Sequence, residues 1–266
     1  MNKYFIIICL FASAFAMSQA TESESELEET GVWAGVYLKF RLSNKLFYYG
    51  EHHYRRRNGL ENTNDFVGRM RQLYNRAGVM YIFNDYFNVV VGPTLVANYS
   101  PDPSNPNYQN VVWEPRIWHQ WLFSMPAIGR VKIYHQFRFE HRWKKDNNLN
   151  SEFDYTNRYR YKLYAYIPVN KKTITNKTLF VAPSAEIFMH SGRSIVYHPF
   201  EDFRVYTGIG YVVNKNITLF GGHMWTLGQK TSGYQYKQTH IIRLNLFVNM
   251  DFRNHKKLMP HVRMDD

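Results

Sequence analysis

Arginine and glutamate recur at alternate positions in several separate stretches of this chain. They stand in Glu114-x-Arg116-x-Trp118-x-Gln120, in Arg138-x-Glu140-x-Arg142 and in Arg158-x-Arg160. Glu51 precedes Arg55 and Arg57, Asp202 stands two positions before Arg204, and Glu186 and Arg243 occupy further segments. Guanidinium forks interleaved with carboxylates form charge-assisted, often bidentate hydrogen bonds. Where arginine is in excess, a low-dielectric cleft lined with such groups focuses a positive potential and draws small anions. Either chemistry needs alternate residues to share one face, as they do on an extended strand.

Other chemistries find less support. In Met189-His190-Ser191-Gly192-Arg193-Ser194 a histidine adjoins a serine, as a hydrolase would need, but neighbours on a strand point to opposite sides. The histidines, among them His52, His53, His119, His135, His141, His223 and His240, fall singly on separate segments without metal-ligand spacing, so no metal or cofactor is expected. The one cysteine, Cys9, lies in an amino-terminal apolar run, which excludes disulfide and thiolate chemistry from the rest of the chain. No residue is assigned a catalytic role.

The elements that position these charges have period two. From Val131 to Trp143 the residues Val131, Ile133, His135, Phe137, Phe139, His141 and Trp143 alternate with Lys132, Tyr134, Gln136, Arg138, Glu140 and Arg142. The same alternation recurs over 32–41, 47–57, 76–83, 87–98, 113–123, 156–167, 179–190, 203–213, 217–225 and 242–252, giving about eleven strands. Most of these exceed the usual five or six residues of a soluble strand and match a tilted membrane strand of about 9–11. The chain carries 21 Tyr, 19 Phe and 6 Trp among its 266 residues while its mean hydropathy stays negative. Beyond the amino-terminal run no segment approaches the 18 consecutive apolar residues of a membrane helix.

Tight turns at Ser43-Asn44, Asn84-Asp85, Met125-Pro126-Ala127 and Asn214-Lys215 alternate with polar loops over 58–68, 99–110, 144–154, 191–200 and 229–237. Short turns on one rim and long loops on the other characterise outer-membrane barrels. The expected fold is therefore all-β: an antiparallel up-and-down transmembrane β-barrel of about 10–12 strands with a charged interior. Bacterial barrels usually have an even strand number, so eleven implies a split or missing strand. It also starts the first strand on the long-loop side.

Residues 1–20 read as a secretory signal peptide, with Lys3, an apolar stretch and small residues before the cleavage region. An acidic linker over 21–30 contains Glu22, Glu24, Glu26, Glu28 and Glu29; it is either solvated or drawn into the lumen by the arginines. The barrel spans 31–252 and a polar tail 253–266.

In that fold Glu51, Arg55, Arg57, Glu114, Arg116, Arg138, Glu140, Arg142, Arg158, Arg160, Glu186, Asp202, Arg204 and Arg243 line the lumen, since facing lipid each arginine would cost about 2–4 kcal/mol at the midplane and each carboxylate a smaller penalty. Opposite charges either pair and fill a narrow lumen or leave an anion-preferring channel. Trp113, Trp121, Trp143 and Trp225 fall near strand ends, as an aromatic girdle requires.

The ordered pieces Trp33, Glu51 with Arg55 and Arg57, Arg76-x-Gly78-x-x-Tyr81, Glu114-x-Arg116-x-Trp118-x-Gln120, Arg138-x-Glu140-x-Arg142, Arg158-Tyr159-Arg160-Tyr161, Glu186 before Phe188, and Arg204-x-Tyr206-x-Gly208-x-Gly210 resemble the domain of unknown function 2490 family of exported bacterial proteins. The resemblance spans nearly the whole mature chain. It implies a barrel in the bacterial outer membrane and carries no activity, substrate or catalytic residue. Pro115, inside the Glu-x-Arg strand, and the polar tail depart from the family pattern.

The formal charge of +12 would suit nucleic acid, but an exported chain does not meet it, so no nucleic-acid partner is expected. The expected neighbours are outer-membrane lipid and lipopolysaccharide, met by Lys144, Lys145, Lys171, Lys172, Lys230 and Lys237, with a small anionic solute for an open lumen. The sequence sets no oligomeric state. A lipid-active enzyme and a soluble periplasmic β-sandwich are the alternatives.

Overall fold

A computed structural model describes residues 27–253. The signal peptide, most of the acidic segment and most of the polar tail lie outside the described residues. All regular structure among the described residues is strand: β1 (Leu27–Arg41), β2 (Leu46–Arg57), β3 (Arg69–Asn84), β4 (Phe87–Tyr99), β5 (Val111–Ser124), β6 (Lys132–Lys144), β7 (Asp154–Pro168), β8 (Leu179–Val181), β9 (Ser184–Gly192), β10 (Phe200–Val212), β11 (Ile217–Gln229) and β12 (Tyr236–Asp251). Strand β1 begins at Leu27, inside the segment read as a linker.

β8 and β9 are two pieces of one strand, since both pair with β7 on one side and β10 on the other. The break falls at Pro183, which has no N–H to give the ladder. The barrel wall therefore has the eleven strands that the alternation marks, and none is hidden.

An odd number closes only if one pair runs parallel, and that pair is β1 with β12, in register from Gly31 opposite Ile241 to Arg41 opposite Asp251. All other neighbours are antiparallel. The expectation of uniform antiparallel pairing and an even count is corrected at this seam. β1 starts on the long-loop rim and β12 ends on the short-turn rim. The short rim carries 42–45, 85–86, 125–131 and 213–216, together with a longer loop over 169–178; the long rim carries 58–68, 100–110, 145–153, 193–199 and 230–235.

Alternate residues separate inside from outside. Outward side chains such as Val91, Ile117, Ile209 and Leu244 are about half exposed, forming an apolar belt larger than soluble surfaces carry. They cover no second sheet, so the β-sandwich alternative fails and the fold is a transmembrane barrel. Pro115 faces outward where β5 has passed the end of its ladder with β6, which begins at Arg116, so its missing N–H costs no bond there.

The interior toward the short-turn rim is aromatic and closely packed. Tyr134, Tyr164, Tyr166, Phe180, Tyr206 and Phe220 form one cluster, and Phe47, Tyr49, Met80, Val90 and Trp118 a second. Phe180 lies flat against Gly210, its strand partner, where any Cβ would overlap the ring; glycine there lets the ring reach the wall.

Candidate functional site: an arginine–glutamate network across the lumen

The charged layer lies above these aromatics. Glu140 on β6 is its centre. Its Oε1 accepts hydrogen bonds from Arg76 Nη2 of β3 at 2.6 Å and Arg160 Nη1 of β7 at 2.8 Å. Its Oε2 accepts from Arg116 Nη1 of β5 at 2.8 Å and from Arg158 Nη1 of β7 at 3.5 Å. The Glu140 side chain has no exposed surface and that of Arg76 is 1% exposed.

From this centre the network reaches the surrounding strands. Glu51 on β2 pairs with Arg138 Nη2 at 2.7 Å and with Arg76, and also accepts from Tyr49 at 2.7 Å. Glu186 meets Arg160 Nη2 at 2.7 Å, Glu114 meets Arg116 Nε at 2.9 Å, and Glu201 holds both Arg142, at 2.9 Å, and Arg158. Six arginines thus meet five glutamates. The near-balance matters because a buried charge is tolerated only when paired and hydrogen-bonded.

Trp118, fully buried, locks the network to the wall. The guanidinium carbons of Arg76 and Arg138 lie 4.6 and 5.0 Å from its ring centre. Its indole N–H donates to the carbonyls of Ala77 and Pro93, both 3.3 Å away. The β3–β4 ladder is interrupted there, between Arg76–Thr94 and Val79–Val91, because Pro93 cannot donate; the indole answers the carbonyls so released.

All fourteen charged residues singled out from the sequence lie on the inner face, in two groups. Glu51, Glu114, Arg116, Arg138, Glu140, Arg142, Arg158, Arg160 and Glu186 join the network. Arg55, Arg57, Asp202, Arg204 and Arg243 stand outside it, toward the long-loop rim: Arg204 Nε pairs with Asp202 at 2.7 Å, Arg57 donates to the Ser100 carbonyl at 2.9 Å, and Arg243 donates to the Tyr37 hydroxyl.

Two members escaped the alternation. Arg76 shares its inward face with Gly78, Met80 and Ile82, an apolar row with no charge pattern to mark it. Glu201 is the extra residue of a bulge, since the register with β9 slips between Phe200 and Asp202. A bulge turns two consecutive residues to one side, and a parity reading selects only one of them.

Of the girdle residues, Trp113, Trp121 and Trp143 are exposed on the outer face and Trp225 is half-buried, with its indole on Gln238 at 3.0 Å. Trp113, Trp143 and Trp225 stand toward the long-loop rim and Trp121 toward the short one, where Phe83, Phe87 and Phe123 stack in series at 5.2 and 4.7 Å. The six lysines do not share a surface: Lys171 and Lys172 lie on the short-turn rim, and Lys237 turns inward to Glu29 at 2.8 Å.

The His/Ser pair is not assembled for hydrolysis. His190 points inward with Nε2 3.1 Å from the His198 carbonyl, while Ser191 points outward, 3.3 Å from the Tyr159 hydroxyl. Among the described residues no three His, Cys, Asp or Glu side chains gather to hold a metal ion.

A family model described as a protein of unknown function (DUF2490) matches residues 30–237. No curated protein matches the chain. Among solved structures, the NanC porin in a rhombohedral crystal form is similar at a TM-score of 0.44 and 10% identity, over 78% of this chain and 93% of that chain.

Proposed function

The chain belongs to the DUF2490 family of proteins of unknown function, and from that premise we propose that it is an outer-membrane barrel closed at mid-height, whose charge network is a packed core rather than the lining of an open pore. One observation carries this reading: Glu140 is ringed by four arginines and has no surface accessible to water. A conducting lumen needs a wetted path, and its charged rings face that water. Here the charges are spent on one another, and the aromatic layer below them continues the plug. The apolar belt and its aromatic edges face lipid. Lipopolysaccharide meets the long-loop rim, where Lys145 stands against Phe153 with 5.4 Å from ammonium to ring centre. Export through the periplasm agrees with the amino-terminal run.

A second reading, an anion-preferring channel that opens only under a stimulus, is favoured by the arginines outside the network. Planar-bilayer recording of the refolded protein, with reversal potential under a salt gradient and a detergent-only control, separates the two. A folded barrel without current supports the closed reading. Stable steps with anion preference overturn it.

A further inference from the structure

The parallel seam brings two inward rows together on three adjacent strands. In one row Trp33 of β1 lies between its partners Arg243 of β12 and Arg55 of β2. In the next, Gly35 lies between Asn245 and His53. Only at a closing seam could residues near both ends of the chain meet in this way.

Neither arginine has a carboxylate partner among the described residues. Arg55 donates to Gln72 Oε1 at 2.9 Å and packs 4.0 Å from the centre of the Trp33 ring, but its Nε makes no hydrogen bond. Arg243 donates to the neutral Tyr37 hydroxyl and its Nε makes none. The Trp33 indole N–H is likewise unengaged although the residue is only 3% exposed. One row away, Asn245 Oδ1 and His53 Nδ1 are unengaged on residues each 6% exposed. Both atoms stand about 3 Å from the point a Gly35 Cβ would occupy. The other ring nitrogen of His53 faces Glu51 at 3.8 Å, and in the tautomer that carries its proton on that side Nδ1 is an acceptor. Three donors, two of them on cations without a salt bridge, therefore stand one row from two acceptors.

Arg55 and Arg243 are partly buried with their Nε atoms shielded; withdrawing a guanidinium from water without a counter-charge is costly, and a bound anion supplies one. We propose that these two rows form a binding site for a small hydroxylated carboxylate, entered from the long-loop side. Its carboxylate takes the Arg55, Arg243 and Trp33 donors, and its hydroxyls donate to Asn245 and His53. Three strands about 4.8 Å apart and two rows about 7 Å apart give a footprint for an acid of roughly six carbons. The site uses the same inward register as the closed-barrel reading but not the closure itself, so a current in planar bilayers leaves it standing.

The test is calorimetric titration of the folded full chain in detergent with gluconate, with hexanoate, which has the same charge and carbon number but no hydroxyls, and with inorganic phosphate. The proposal expects gluconate to saturate one site at least tenfold more tightly than hexanoate. Arg55→Gln and Arg243→Gln each weaken gluconate at least tenfold, whereas Arg130→Gln, on the short-turn rim, leaves it unchanged. Asn245→Leu erases the preference over hexanoate. No binding of gluconate or phosphate to folded protein overturns the site, as does unchanged affinity in both arginine variants. Equal binding of gluconate and hexanoate overturns the hydroxyl assignment. Should either arginine variant fail to fold, Asn245→Leu and the wild-type comparison still decide.

Discussion

Arg138 on β6 donates to Glu51 on β2 at 2.7 Å, although three strands of the wall separate them and 87 residues separate them in sequence. The bond crosses the lumen. With the 2.6 Å bond from Arg76 to Glu140, it braces the barrel from within as a hydrophobic core braces a soluble domain.

Glu140→Gln removes the only charge that four guanidinium groups share while keeping the side chain's shape. Breaking a buried pair by neutralising one partner costs about 3–5 kcal/mol. Urea unfolding of the refolded variant, followed by heat-modifiable mobility, should show a loss of that order. A midpoint equal to wild type would falsify the central role assigned to Glu140.

Glu51 and Arg138 should couple. Arg138→Leu and Glu51→Gln each strand a buried charge, but together they remove the pair, so the double variant should lose less than the sum of the singles by about 0.5–3 kcal/mol. Strict additivity in the unfolding free energies means that the two side chains do not meet.

Phe137 lies on the outer face, in the belt between the two rims. Phe137→Arg should destabilise the lipid-embedded barrel by about 2–4 kcal/mol. Indifference to this change, measured in bilayers rather than detergent, reverses the inside-outside register of β6.

Trp118→Ala removes the indole from between two arginines and leaves the carbonyls of Ala77 and Pro93 without their donor. The expected loss is about 3–5 kcal/mol. If the layer is also the barrier to ions, intermittent current should appear where wild type has none. A destabilised but silent variant locates the barrier in the aromatic cluster below.

The parallel seam can be tested chemically, because Cys9 is the chain's only cysteine and the described residues contain none. Ala34 and Leu244 are register partners facing the same side. The pair Ala34→Cys with Leu244→Cys should cross-link on oxidation, while the pair Ala34→Cys with Met250→Cys, on the same face but several residues out of register, should not. Equal cross-linking of both pairs, or of neither, rules out a fixed parallel closure.

The alternation of residue types was enough to identify a barrel and mark all eleven strands. Side chains on a strand alternate strictly between faces, and a membrane tolerates charge on only one of them, so period two carries inside and outside directly in the sequence. It could not supply closure. Whether the last strand meets the first in parallel depends on the count around the whole ring, and eleven then looks like an error rather than a parallel seam. Nor could it supply partners: Arg76 sits in an apolar row, Glu201 enters through a bulge that breaks parity, and Arg138 finds Glu51 only because the wall curves back on itself. Facing is a local property of the backbone, written residue by residue. Pairing across the lumen and the unshared arginines beside Trp33 are set by distances that exist only once the sheet has closed.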